Sequence, residues 1–91
     1  MTELGWNPLK SKRLKRTRGI SFEEIIASKL IDIRKHPKRE DQKILIFEHK
    51  GYAWVVPYVV MQSGQIFLKT VYPSRKLTQP YKGKRGRHEK N

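Results

Sequence analysis

The sequence predicts an α+β fold in which two N-terminal helices pack on an antiparallel β-meander. Two helix starts stand close together, Asn7-Pro8 and Ser21-Phe22-Glu23-Glu24. Three runs rich in β-branched and aromatic residues follow, at 43–49, 52–62 and 65–72. Lys50-Gly51 and Ser63-Gly64 separate those runs by two residues each, and connections this short force consecutive strands to lie antiparallel.

In the first helix Asn7 is the expected N-cap and Pro8 occupies the first helical position, where its missing N–H costs nothing. Gly19 is the expected stop. Only Leu9 and Leu14 are apolar in between, so this helix is expected to lean on the body through a thin seam anchored by Trp6. Its remaining faces are cationic. The second helix opens with capping-box spacing between Ser21 and Glu24, and Ile20 and Ile25 hold the positions of a hydrophobic staple. Phe22, Ile25, Ile26 and Leu30 recur at helical spacing, which predicts one buried face.

Ile31, Asp32, Ile33 and Arg34 alternate as a short strand or extended exit would; His36-Pro37 ends it and 38–41 is a polar loop. In the middle run both alternating rows are apolar, so this strand is expected at the centre, with Pro57 marking a bulge or a missing ladder bond. In the third run Ile66, Leu68, Thr70 and Tyr72 alternate with Phe67, Lys69 and Val71. Lys69 is a lone cation on an apolar row. Either its stem packs while its amine reaches solvent, or it points into an anion-binding hollow.

A chain of 91 residues is expected to form one domain, here 1–81, and to bury only about 60–65% of its unfolded surface. The last ten residues, KGKRGRHEKN, contain no hydrophobe and are expected to be a basic tail, disordered on its own. The absence of cysteine excludes disulfides and thiolate metal sites. No apolar run approaches the ~20 residues of a membrane span, and MTELGWNP does not read as a signal peptide, so a cytoplasmic location is expected.

Charge narrows the choice of partner. Lys and Arg number 21 against 8 Asp and Glu, a formal net charge of +13. The cations are clustered, at 10–18, at 34–39 and from Arg75 onward, which favours a polyanion over a merely soluble surface. His36, His49 and His88 are too scattered for metal-ligand spacing, so neither a metal nor another cofactor is expected. What remains is metal-free phosphodiester chemistry. RNA can be cleaved through its own 2′-hydroxyl, so the protein need supply only a base, an acid and positive charge on the transition state.

The stretch 65–81 is the expected meeting place with phosphate, because a strand-like run ends at Pro73 and is followed by Ser74, Arg75, Lys76, Thr78 and Tyr81. His49 is the expected base, on the grounds of its ordinary titration range. Tyr72, Tyr81 and Trp54 could stack on splayed bases, although Trp54 reads better as core. RNA contacts are expected from Lys76, Lys10, Arg13, Arg16, Lys35 and Lys82.

The stretches GWNPLKSKRLKRTRGISFEEI and SRKLT resemble segments of the BrnT-type toxins, within the RelE/ParE-like superfamily. Gly51, Tyr52, Val55, Val56, Pro57, Tyr58 and the run Phe67 to Lys76 match one branch of that family, and the resemblance spans about residues 5–81. It implies two helices on an antiparallel sheet and a metal-independent endoribonuclease that cleaves mRNA and stalls translation. It also implies a cognate antitoxin, of ribbon-helix-helix type, with operator DNA met only through the toxin-antitoxin complex. Carried residue by residue, it makes Arg75 the phosphate-stabilising group, Lys69 and Lys76 further cations, and Tyr81 an aromatic or proton-relay group. The alternative function is a non-enzymatic module that binds nucleic acid or gyrase.

Overall fold

The structure is a computed structural model and describes residues 3–78. The chain runs β1 (Leu4–Gly5), α1 (Pro8–Arg18), α2 (Phe22–Ile26), β2 (Lys29–Lys35), β3 (Lys43–His49), β4 (Tyr52–Val60), β5 (Ile66–Leu68) and β6 (Tyr72–Pro73). Residues 75–78 add a helical turn. The sheet has the order β1-β5-β4-β3-β2, with β6 also paired to β4. All neighbours are antiparallel except β1, which lies parallel to β5. The α+β meander is therefore as expected, with one parallel strand added at its edge.

Both helix starts are built as their residues dictate. Asn7 Oδ1 accepts from the backbone N–H groups of Leu9 and Lys10, at 2.9 and 3.3 Å. Gly19 closes α1 at φ 80°, the left-handed conformation that a side chain would resist. Ser21 and Glu24 complete their reciprocal capping box. The seam of α1 differs from the expectation. Leu14 is buried, but Leu9 is 71% exposed and its place is taken by Ser11. The Ser11 hydroxyl donates to Glu23 Oε1 at 2.6 Å and accepts from the Phe22 N–H at 3.0 Å, which locks the two helices together.

Helix α2 is shorter than its apolar spacing suggests. Ser28 turns back onto the Ile25 carbonyl through both its N–H and its hydroxyl, and Leu30 joins β2. Strand pairing from Lys29↔Glu48 to Lys35↔Lys43, six pairs with a register shift between Leu30 and Asp32, outweighs one further helical turn. The 31–34 alternation is thus the middle of a full strand.

The core lies on both faces of the sheet. Leu14, Ile20, Phe22, Ile25, Leu45, Phe47, Val56, Tyr58, Leu68 and Val71 form the helix-side layer, with Trp6 tilted against Phe22 at 5.8 Å between ring centroids. Ile44, Ile46, Ala53 and Val55 form a smaller cluster on the opposite face, against Ile31, Tyr72 and Leu77. Strand β4 is covered on both sides, as its two apolar rows require.

The third run is two strands. Leu68 faces Tyr58 and Tyr72 faces Val55, so four steps of this chain span three steps of β4. One extra residue makes a bulge, and a bulge exchanges the faces that follow it. Val71 accordingly enters the helix-side core with Leu68, while Tyr72 packs on the other face. Pro57 sits opposite this bulge. Its carbonyl accepts from Lys69 N–H at 2.8 Å, and its missing N–H points to the same edge, where the chain has already swung away. The proline therefore forfeits no ladder bond there.

The acid limb of stability follows from α2. The carboxyl of Glu24 is pulled from its ordinary value of 4.5 down to about 2, first by the hydrogen bond from Lys15 and then by the Ser21 N–H. Glu23 and Asp32 are lowered as well, chiefly by Ser11 and Arg34 respectively. A depressed carboxyl stabilises the fold fully above its unfolded value, and the contribution is lost as pH falls through the folded one. The denaturation midpoint is expected to fall between about pH 4.5 and 2, and Glu24→Gln should make that fall shallower. An identical acid profile in Glu24→Gln would remove Glu24 as a source.

Candidate nucleic-acid interface

The 68–72 bulge re-aims the chain at a cleft of about 300 Å³ lined by Lys10, His36, Arg39, Gln42, Pro57, Lys69, Thr70 and Tyr72. The lining is gathered from five separate parts of the chain. Lys10 comes from the first turn of α1, Pro57 from β4, and Lys69 and Thr70 from the bulge. Tyr72 stands at the start of β6, while His36, Arg39 and Gln42 lie on the connection from β2 to β3. That connection is held by His36 N–H donating to Gln42 O at 3.1 Å and Gln42 N–H donating to Arg39 O at 3.2 Å.

The bulge is itself pinned. Arg18 Nη1 donates to the Val71 carbonyl at 2.8 Å, tying the end of α1 to the segment that carries Lys69. Lys69 Nζ stands 5.8 Å from the centroid of the Phe67 ring, within cation–π range. Lys69 is exposed and borders the cleft beside other cations.

Positive charge accumulates here, and among the described residues that line the cleft none is acidic, although Glu40 and Asp41 follow Arg39 on the same connection. Lys10 is half-buried, and its ammonium is shifted below the ordinary lysine value, first by desolvation and then by the charges of Lys69, Arg13 and Arg18. The sign is unfavourable to folding. Below its lowered pKa a charged Lys10 opposes folding, and stability rises as pH climbs through that pKa towards 10.5. A bound anion would reverse the effect of the neighbouring charges. Elsewhere on α1 the repulsion is partly relieved, because Lys15 pairs with Glu24 at 2.8 Å.

The expected site residues separate into groups. Lys69 and Lys10 meet in the cleft, and Lys35 lies next in sequence to the cleft residue His36. Arg13 and Arg16 are exposed on α1, and Arg13 acts electrostatically on Lys10. Arg75 and Lys76 are exposed on the turn after β6, and no hydrogen bond or ion pair holds Arg75 among the described residues. Ser74 N–H bonds Ala53 O, which lies four residues along β4 from Pro57, or ~13 Å at ~3.3 Å per residue. His49 pairs with Tyr52 at the hairpin end of β3, and Tyr52 is five residues from Pro57, so the strand does not bring His49 to Lys69. Tyr81, Lys82 and the 82–91 tail lie outside the described residues.

Two hydroxyls expected near phosphate are structural. Ser74 Oγ accepts from Leu77 N–H at 3.1 Å, capping the 75–78 turn. Thr78 is buried; its hydroxyl accepts from Ala53 N–H at 2.8 Å and donates to Ser74 O at 2.6 Å. Thr78→Val should leave the Ala53 N–H unsatisfied and cost about 1–3 kcal/mol in urea unfolding. No loss would mean that the turn does not support β4.

In the sequence His36 reads as the end of a strand and as a histidine too isolated to ligate a metal, not as a phosphate contact. Its position in a His-Pro turn directly after the cationic end of β2 was the available signal. Trp54 packs against the helix-side core, as expected, with its indole N–H buried and without a hydrogen-bond partner among the described residues. Among the described residues no helix is long and apolar enough to cross a membrane.

No protein-family model matches the chain, and no curated protein matches it. Among solved structures, the crystal structure of the ribonuclease toxin BrnT of Brucella abortus matches with a TM-score of 0.55 and 16% sequence identity, covering 84% of this chain and 100% of that one. In fold, this chain is BrnT-like, with its N-terminal helices on a mostly antiparallel sheet.

Proposed function

We propose that the protein is a toxin-like, metal-independent endoribonuclease whose substrate phosphate lies in the Lys10, Arg39 and Lys69 cleft. The observation that carries this reading is the convergence of three cations from three separate elements on one cleft, in a fold shared with a ribonuclease toxin. Cleavage would proceed by attack of the ribose 2′-oxygen on the adjacent phosphorus. The bond from phosphorus to the 5′-oxygen then breaks, leaving a 2′,3′-cyclic phosphate and a 5′-hydroxyl. One group takes the 2′-hydroxyl proton and another delivers a proton to the departing oxygen.

Lys69 and Arg39 are proposed to stabilise the charge that develops on the phosphorane, with Arg75 and Lys76 extending the cationic track along the RNA. Lys10, half-buried at the cleft, is proposed to hold the phosphate as a cation, and the bound anion would offset the repulsion from its basic neighbours. Tyr81 is retained as a candidate proton relay, and His49 as a contact further along the strand. The net charge of +13 and the resemblance to BrnT-type toxins support neutralisation by an acidic protein antitoxin in the cytoplasm, of ribbon-helix-helix type, whose complex with the toxin meets operator DNA.

The test incubates purified protein with RNA and a chelator, comparing wild type with Lys69→Ala and Arg75→Ala. Cleavage by wild type with cyclic-phosphate ends, reduced in both variants, supports the reading. RNA left intact by wild type rejects the nuclease and favours a non-enzymatic binding module.

A further inference from the structure

We propose that His36 is a neutral hydrogen-bond donor that orients an RNA phosphate in the cleft through its Nε2–H, and that it does not transfer a proton during cleavage. The proposal rests on the reading of the cleft as the RNA-phosphate site. His36 Nδ1 accepts from the backbone N–H groups of Lys38 and Arg39, at 3.0 and 3.2 Å. Two donors aimed at one ring nitrogen require that nitrogen to be unprotonated, so the imidazole proton sits on Nε2. Nε2 has no partner among the described residues, and the ring lines the cleft.

An imidazole in this state is poorly suited to acid or base work. Its Nε2 is already protonated and cannot accept the 2′-hydroxyl proton. Donating that proton outright would leave an imidazolate. A hydrogen bond from Nε2–H to a non-bridging phosphate oxygen needs neither step.

The geometry also supplies what the two lysines of the cleft lack. Lys10 and Lys69 are point charges on flexible stems, which attract phosphate without fixing its orientation. His36 is anchored at both ends: its N–H bonds Gln42 O, and its ring is held by the turn it caps, with Pro37 restricting the backbone between. A donor fixed in this way is pre-organised, so little entropy is lost when it engages a ligand.

The competing account is that His36 only caps its own turn. Two substitutions separate the roles. In His36→Asn the side-chain oxygen stands near the position of Nδ1 and can keep the cap, but nothing reaches where Nε2–H was. In His36→Gln the amide nitrogen reaches towards that position while the cap is lost.

The measurement is fluorescence anisotropy with a short RNA carrying 2′-O-methyl riboses, which cannot be cleaved, alongside thermal melts. His36→Asn is expected to weaken binding by about 10- to 100-fold, the range of a hydrogen bond to a charged group, with Tm nearly unchanged. His36→Gln is expected to bind within about threefold of wild type and to melt lower. Wild-type affinity in His36→Asn would overturn the proposal and leave only the cap.

With cleavable RNA, a raised KM and a near-constant kcat in His36→Asn would support the proposal, whereas a fall of about 10²-fold or more in kcat at constant KM would make His36 a proton-transfer group and overturn it. Binding of the methylated RNA without cleavage of natural RNA would reject the nuclease and leave this assignment standing. Wild-type affinity in Lys69→Ala would remove the cleft as the phosphate site, and this proposal with it.

Discussion

Lys69→Ala is expected to slow RNA cleavage by about 10²- to 10³-fold, the cost of removing one positioned group that stabilises transition-state charge. The fold should survive the change. Lys69 is exposed, its ion-pair partners are absent among the described residues, and its contact with Phe67 is a single cation–π approach of 5.8 Å. A surface substitution of this kind usually moves stability by no more than about 0.5 kcal/mol. A time course on labelled RNA checks the rate and a thermal melt checks the fold. A rate within about threefold of wild type would show that Lys69 carries no transition-state charge, since even one such group contributes far more.

Phe22→Ala should have the largest effect on the fold, costing about 3–5 kcal/mol. Phe22 is fully buried at the start of α2, between Trp6 and the helix-side layer of the sheet. Its backbone N–H also meets Ser11, so the residue joins α1, α2 and the core. A chain of this length has roughly 5–14 kcal/mol of stability in total, so the loss is a large fraction of it. The thermal midpoint should fall by more than about 12 °C. Leu9→Ala, at a residue 71% exposed, should change stability by no more than about 0.5 kcal/mol. Comparable losses in the two variants would mean that the helices do not pack as described.

The helix starts were legible because the signals that make them are local. Asn7-Pro8 and the Ser21 to Glu24 capping box satisfy backbone donors within a few residues, so the sequence window contains the whole cause. The same holds for Lys50-Gly51, where positive φ at both residues, 55° and 78°, turns the chain directly between β3 and β4. The bulge was hidden for the opposite reason. QIFLKTVY contains no glycine or proline to mark a break, and its change of face is imposed from outside, by Val71 entering the helix-side core and by Arg18 holding the Val71 carbonyl. Strand β1 was equally silent, because its two residues are ordered by β5, some sixty positions away in the chain.

The site divides along the same line. Lys10 and Arg39 belong to cation clusters and Lys69 stands out as a lone cation on an apolar row, but their meeting depends on the bulge and on the β2 to β3 connection. Leu9 and Thr78 show the converse. An apolar residue and a hydroxyl were assigned to the seam and to phosphate by type, and burial reversed both, exposing Leu9 and committing Thr78 to the backbone of Ala53.

The location of the phosphate is tested most directly by the salt dependence of binding to a short uncleavable RNA. A single-stranded RNA loses about 0.7 in the slope of log K against log salt for each phosphate contact removed. If a phosphate lies against Lys69, the Lys69→Ala line should be shallower than wild type by about that amount, with weaker binding at low salt. Parallel lines with equal affinity would place the phosphate elsewhere on the protein and contradict the cleft as the site.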